Sequence, residues 1–99
     1  NKYWKPKTQF NSFNSNFAYP VVHPNKNKII NQLLKKSIET RPMICGSMGT
    51  QPFYVKKYGR LELPNVTDVD RYGFYVPNHP KLKKEEIEFV CDVINKEIL

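Results

Sequence analysis

From Lys83 to Leu99 the apolar residues Ile87, Val90, Cys91, Ile94 and Ile98 recur at helical spacing. A helix with a single apolar stripe is stable only when another layer covers that stripe. A second stripe, Ile29, Ile30, Leu33 and Leu34, runs through Lys26–Ser37 with lysines on its far side. The chain supplies three short β-prone runs that can form the layer beneath. Asn16 to His23 places Phe17, Tyr19 and Val21 on one face, and Pro20 assigns this run to an edge or an irregular strand. Ile38 to Cys45 is a second strand interrupted by Pro42, and Phe74 to Asn78 is a third, closed by Pro80. The order strand, helix, strand, short helices, strand, helix predicts an α/β two-layer sandwich of the α+β kind. Its small three-stranded sheet is largely antiparallel or mixed, and two main helices cover it.

The remaining segments are connectors and short helices. Pro24-Asn25 is a turn, with Asn25 placed to cap the next helix. Gly46 to Thr50 is a loop, and Gln51 to Tyr58 is a short helix with Pro52 in its first turn and Gly59 as its stop. Asn65 to Tyr72 is another helix ended by Gly73, for which Asp68 and Asp70 are read as capping residues. Glu85 and Glu86 suit the dipole at the start of the last helix, while Lys83 and Lys84 oppose it. Residues 1–15 mix Asn, Ser and Lys with Tyr3, Trp4, Phe10 and Phe13 and show no period. They read as an extended lead-in whose aromatic rings pack on something outside the domain, because exposed apolar clusters mark contacts.

Composition narrows the partners only a little. The formal net charge is +7, which attracts anions. The lysines are scattered along the chain, whereas dedicated nucleic-acid binders gather their charge on one face. A solvated basic surface is therefore favoured, and a small RNA- or single-stranded-DNA-binding module is the competing reading. No apolar run approaches the ~20 residues of a membrane span, and no apolar segment follows Lys2, Lys5 and Lys7 as a signal peptide would require. A cytoplasmic location is expected. The start at Asn1 suggests an excised segment. Cys45 and Cys91 lack metal-ligand spacing, and two reduced thiols are expected, with Cys91 in the core.

Few residues carry chemistry by type and position. Arg41 stands where a strand breaks at Pro42, beside the small-residue loop Cys45-Gly46-Ser47-Met48-Gly49. A guanidinium there can hold a phosphate or carboxylate through two parallel hydrogen bonds, and the bland alternative is an ion pair with Glu39 or Asp70. His79, at the end of the third strand, can serve proton transfer or a substrate hydroxyl, or simply form a turn. His23, also followed by proline, is a turn residue. Phe53, Tyr54 and Tyr58 fit core or interface packing better than base stacking. The two-glycine loop matches neither the P-loop nor the dinucleotide fingerprint, there is no nucleophile elbow, and no metal site is expected. Nothing in the chain makes a self-sufficient active site.

The ordered set Ile38-Glu39-Thr40-Arg41-Pro42, Gly46, Gln51-Pro52-Phe53, Leu63-Pro64-Asn65, Asp70-Arg71-Tyr72-Gly73-Phe74-Tyr75-Val76 and Asn78-His79 resembles the C-terminal region of the DegT/DnrJ/EryC1/StrS aminotransferase family. The likeness runs over about residues 16–99 and is nearest the branch of nucleotide-sugar 3-dehydratases that act on 4-keto-6-deoxy sugars, enzymes of lipopolysaccharide sugar biosynthesis. The resemblance implies the small domain of a type I pyridoxal-phosphate enzyme. The lysine that holds the cofactor, or the histidine that replaces it, then lies in a missing N-terminal large domain, and the parent is a homodimer. The isolated domain is expected to bind no cofactor and to supply no catalytic residue. By the same resemblance Arg41, Gly46, Ser47, Gln51, Asn78 and His79 line a cleft for a nucleotide-sugar substrate. The family's dehydratase branch often has Asn after the glycine, where this chain has Ser47, and Met48-Gly49-Thr50 replaces the usual aromatic and basic residues.

Overall fold

A computed structural model describes residues 7–44 and 46–97. The elements are β1 (Tyr19–Val22), α1 (Lys26–Lys35), β2 (Arg41–Pro42), a 3-10 turn (Met48–Thr50), α2 (Pro52–Tyr58), α3 (Pro64–Tyr72), β3 (Gly73–Val76) and α4 (Lys84–Lys96). The strands lie in the order β1-β3-β2, and β3 is antiparallel to both neighbours. This is the small three-stranded sheet with helices on one face that the element order predicts. Each outer strand carries a proline, Pro20 in β1 and Pro42 in β2. Proline has no N–H for a ladder, so both edges are poor templates for further pairing.

The register decides which side chains meet the helices. Val21 stands opposite Phe74 and Tyr19 opposite Val76, so this face carries the apolar set. Phe74, Ile29 of α1 and Leu33 of α1 are fully buried, and Val21, Ile38, Val76, Val93 and Ile94 complete the core. Burying a side chain of this size is worth roughly 1.5–3 kcal/mol. Helix α1 ends in a tight C-terminal motif. Ser37 takes the left-handed conformation at φ 61°, the Ile38 N–H donates to the Leu33 carbonyl at 2.9 Å, and the Ser37 N–H donates to the Leu34 carbonyl at 3.0 Å. These two bonds satisfy carbonyls left over at a helix end and turn Ile38 back into the core.

Several local expectations are corrected. The second strand shrinks from Ile38–Cys45 to Arg41–Pro42, because Ile38 is held by the end of α1 and Pro42 cannot extend the ladder. The Cys45 end of that strand lies outside the described residues, as do Tyr3, Trp4 and Ile98. Phe17 does not share a face with Val21. Its ring lies 5.4 Å from that of Tyr75, which pairs with Pro20 on the opposite face of the sheet. Leu34 of the α1 stripe stays 56% exposed. Asn25 precedes α1 without a side-chain cap; its Nδ2 reaches the Glu97 carbonyl instead, while its backbone N–H donates to His23 Nδ1.

Cys91 is not core but exposed. Helix α4 is turned by about one position, so that Val93 and Ile94 are buried and Val90 packs against them. At its end Glu97 forms an ion pair with Lys28 of α1 at 3.4 Å. Ile87, near the N-terminus of α4, is 49% exposed. A helix of 13 residues is about 20 Å long, and a four-residue strand about 14 Å. The helix is thus longer than the strands, and a hollow of about 960 Å³ opens between Leu82, Ile87 and Val90 on one side and Tyr19 and Val76 of the sheet on the other. Among the described residues no helix is long and apolar enough to cross a membrane.

Candidate functional site

Among the described residues no helix layer covers the sheet face away from α1 and α4, and Arg41 lies on it. Arg41 pairs with Tyr75 across β2 and β3, so strand alternation places both side chains on this open face. Phe17, Glu39, Arg41, Ile44, Tyr75 and Asn78 contribute to a groove of about 610 Å³. Its walls are mostly apolar and aromatic. The Arg41 guanidinium donates to Glu39 Oε1 at 2.6 Å, with both side chains largely exposed. Of the two partners the sequence allows for Arg41, the structure selects Glu39. An ion pair this exposed is worth about 0–1 kcal/mol, so an incoming phosphate or carboxylate can displace Glu39 at small cost. Asn78 borders the groove and donates from Nδ2 to the Asn16 carbonyl at 2.7 Å, tying the lead-in to the end of β3. It also lines the larger hollow under α4, as does Glu39, so the two openings share an edge.

The other candidate residues stand elsewhere. Ser47 is 3% exposed, and its carbonyl accepts from the Thr50 hydroxyl at 3.2 Å. Gly46 adopts φ +54°, and a Cβ there would lie 2.6 Å from Asp70 Oδ1. Asp70 is therefore no helix cap. Because α3 begins with Pro64 at its first position, Asp70 falls in the second turn, where its carboxylate packs on the Gly46 backbone. Asp68 gives no cap either, since α3 has no side-chain cap bond and no acidic residue in its first turn. Gln51 is half-buried at the start of α2. His79 is exposed, and its carbonyl accepts from the Leu82 N–H. The structure thus joins Arg41 and Asn78 in one groove and leaves Gly46, Ser47, Gln51 and His79 outside it.

Two groove residues were missed by residue-by-residue reading, Tyr75 and Phe17. Alternation within Phe74-Tyr75-Val76 already puts Tyr75 opposite to Phe74. Phe17 had no such signal, because it precedes the paired part of β1.

The donor set does not suit pyridoxal phosphate on its own. Among the described residues the one buried polar side chain is Ser47, no lysine is buried, and no lysine lines the groove. No group of three metal-ligating side chains occurs among the described residues. The lysines of the described residues lie in the lead-in (Lys7), on α1 and just after it (Lys36), on α2, in the 81–84 segment and on α4.

An antiparallel sheet with helices on one face and an arginine-bearing groove on the other makes up a small α+β domain. Residues 3–95 match the DegT/DnrJ/EryC1/StrS aminotransferase family, and the chain belongs to that family. It is similar to a GDP-perosamine synthase of Escherichia coli O157:H7, with 32% identity over 71 residues, 72% of this chain. The chain spans only 19% of that relative's length. The family match takes in most of the lead-in, which the motif likeness, beginning near residue 16, leaves out.

Proposed function

We propose that this chain is the C-terminal small domain of a pyridoxal-phosphate-dependent nucleotide-sugar aminotransferase, or of a 4-keto-6-deoxy-sugar 3-dehydratase of the same family. Residues 1–15 are then a linker to an N-terminal large domain, and the parent is a homodimer. The observation that carries this reading is the family match over residues 3–95 by a chain that covers 19% of a GDP-perosamine synthase. That relative's name supports a nucleotide sugar as substrate.

In this reading the cofactor, when bound, supplies the electron sink for carbanion chemistry, and the large domain holds it. The residues described here bind and orient. Arg41 exchanges Glu39 for an anionic group of the substrate, a phosphate being the best match to its planar fork. Tyr75 and Phe17 give the groove an aromatic wall, and Asn78 fixes its edge. Gly46, Ser47, Gln51 and His79 reach substrate only if the large domain closes around the loop and the end of β3.

The test is Arg41→Ala in the full-length polypeptide. Losing a charge-assisted hydrogen bond of about 1.5–3 kcal/mol raises KM roughly 10- to 100-fold. Stability shifts by less than about 0.5 kcal/mol, as for other exposed positions. Unchanged kinetics with a destabilised protein would make Arg41 structural. Sugar turnover by the 99-residue chain alone would overturn the assignment of catalysis to another domain.

A further inference from the structure

We propose that α2, α3 and the connector between them form the surface on which the remainder of the polypeptide docks. This rests on the small-domain reading above and adds the place of contact. Neither helix buries a single residue. Their large apolar side chains face solvent instead: Phe53 and Tyr58 on α2, Leu61 and Leu63 in the connector, Val66 and Val69 on α3. Helices of seven and nine residues are far too short to hold themselves together in water. Most helical stability comes from packing an apolar face, and among the described residues Phe53, Tyr58, Leu63, Val66 and Val69 are left uncovered, while only Tyr54, Val55, Thr67 and Tyr72 of the two helices are half-buried.

The surface has the make-up of an interface. Apolar and tyrosyl side chains are ringed by charges, as in contacts with an apolar centre and a polar rim. Lys57 lies over the Tyr58 ring at 5.3 Å, and Arg60 pairs with Glu62 at 2.8 Å. One backbone hydrogen bond and one close backbone approach set the segment against the loop. The Leu61 N–H donates to the Gly49 carbonyl at 3.0 Å, and a Cβ on Gly49 would lie 2.3 Å from the Leu61 carbonyl oxygen. Only glycine allows that approach. The occupant is the same polypeptide rather than an unrelated protein, because the curated relative is about five times longer than the stretch matched here. The docking surface also directly follows the Gly46–Gln51 loop, so docking there would set the position of the candidate site against the large domain.

The experiment is hydroxyl-radical footprinting of the full-length polypeptide, read residue by residue by mass spectrometry over a range of protein concentrations. Leu34, exposed on the outer side of α1, is the internal reference. Docking predicts that Phe53, Tyr58 and Leu63 are oxidised roughly tenfold less than their exposure in this chain dictates, because an interface core excludes water. It also predicts that this protection is unchanged on dilution to monomer. Oxidation in proportion to exposure overturns the proposal. So does protection that disappears on dilution, which would assign the surface to a second copy. The absorbance of added pyridoxal phosphate is followed on the same sample. Protection without cofactor binding sinks the functional reading and leaves the docking surface standing; cofactor binding with full labelling sinks the docking surface alone.

Discussion

Helices α1 and α3 are nearly the same length, ten and nine residues, and both carry apolar side chains at helical spacing. Helix α1 sinks Ile29 and Leu33 to zero exposure against Phe74 of the sheet. Helix α3 leaves Val66 and Val69 close to 40% exposed and buries nothing. The difference lies in what stands opposite. Helix α1 is bracketed by β1 and β2, so short loops return it to the sheet face. Helix α3 runs directly into β3 and shares its end with the strand rather than lying across it. An amphipathic pattern thus establishes that a face needs a partner, while the topology determines whether the same domain supplies one.

The largest effect that can break this comparison is a truncation in the core. Phe74→Ala removes the largest fully buried side chain and should cost about 3–5 kcal/mol. That is enough to unfold a domain with a stability of about 5–15 kcal/mol at the lower end. Phe53→Ala on α2 should change the stability of this chain by less than about 0.5 kcal/mol. Urea melts of the two variants give the readout. Comparable losses would show that α2 shares the core's cooperativity and that the two regions are not separate in energy.

Gly46→Ala tests the join between the regions, since the Gly46 backbone is where α3 meets the loop through Asp70. At φ +54° an alanine costs about 1–2 kcal/mol by conformation alone. The new Cβ also meets the Asp70 carboxylate at 2.6 Å, but that group is short and terminal and can swing aside. The backbone therefore contributes the larger share. A double-mutant cycle with Asp70→Ala should return a coupling of about 0.5 kcal/mol or more, as for residues in contact. Strict additivity would show that Asp70 does not hold the loop.

The sheet, its two covering helices and the edge position of β1 were legible because they follow from period and proline placement. Ile29, Leu33, Val21 and Ile94 were found by spacing alone. Cys91 was misplaced because the stripe Ile87, Val90, Cys91, Ile94 and Ile98 is as regular as the set the structure packs on the core, Val90, Val93 and Ile94. The choice between them rests on contacts distant in sequence, the packing of Val93 and Ile94 into the core, with the Glu97–Lys28 pair beside it. The groove was legible only in part. Strand alternation foretells that Arg41 and Tyr75 each face away from the core, but their pairing requires the register of β2 on β3, which no local pattern encodes. Ser47 was named through the resemblance alone, and no local pattern foretells that the residue preceding the 3-10 turn is buried. Asp70 was read as a cap by residue type alone, and its neighbour lies 24 positions away in the chain, at Gly46.

The smallest effect sharpens the comparison at the helix ends. Helix α1 is fastened by Ser37 in the left-handed conformation, so that Ile38 can bond back to Leu33 and enter the core. Helix α3 has no such fastening, because Gly73 at its end is already extended, with φ −92° and ψ 148°. A serine with positive φ costs about 1–2 kcal/mol relative to an unstrained conformation, and glycine removes that strain while adding about 0.5–1 kcal/mol of unfolded-state entropy. Ser37→Gly should therefore stabilise the chain by a few tenths to about 1 kcal/mol, visible as a higher urea midpoint at constant slope. A drop in midpoint would mean that the serine side chain itself holds the turn. The end of α1 would then owe its fastening to a local polar contact rather than to the return of Ile38 into the core.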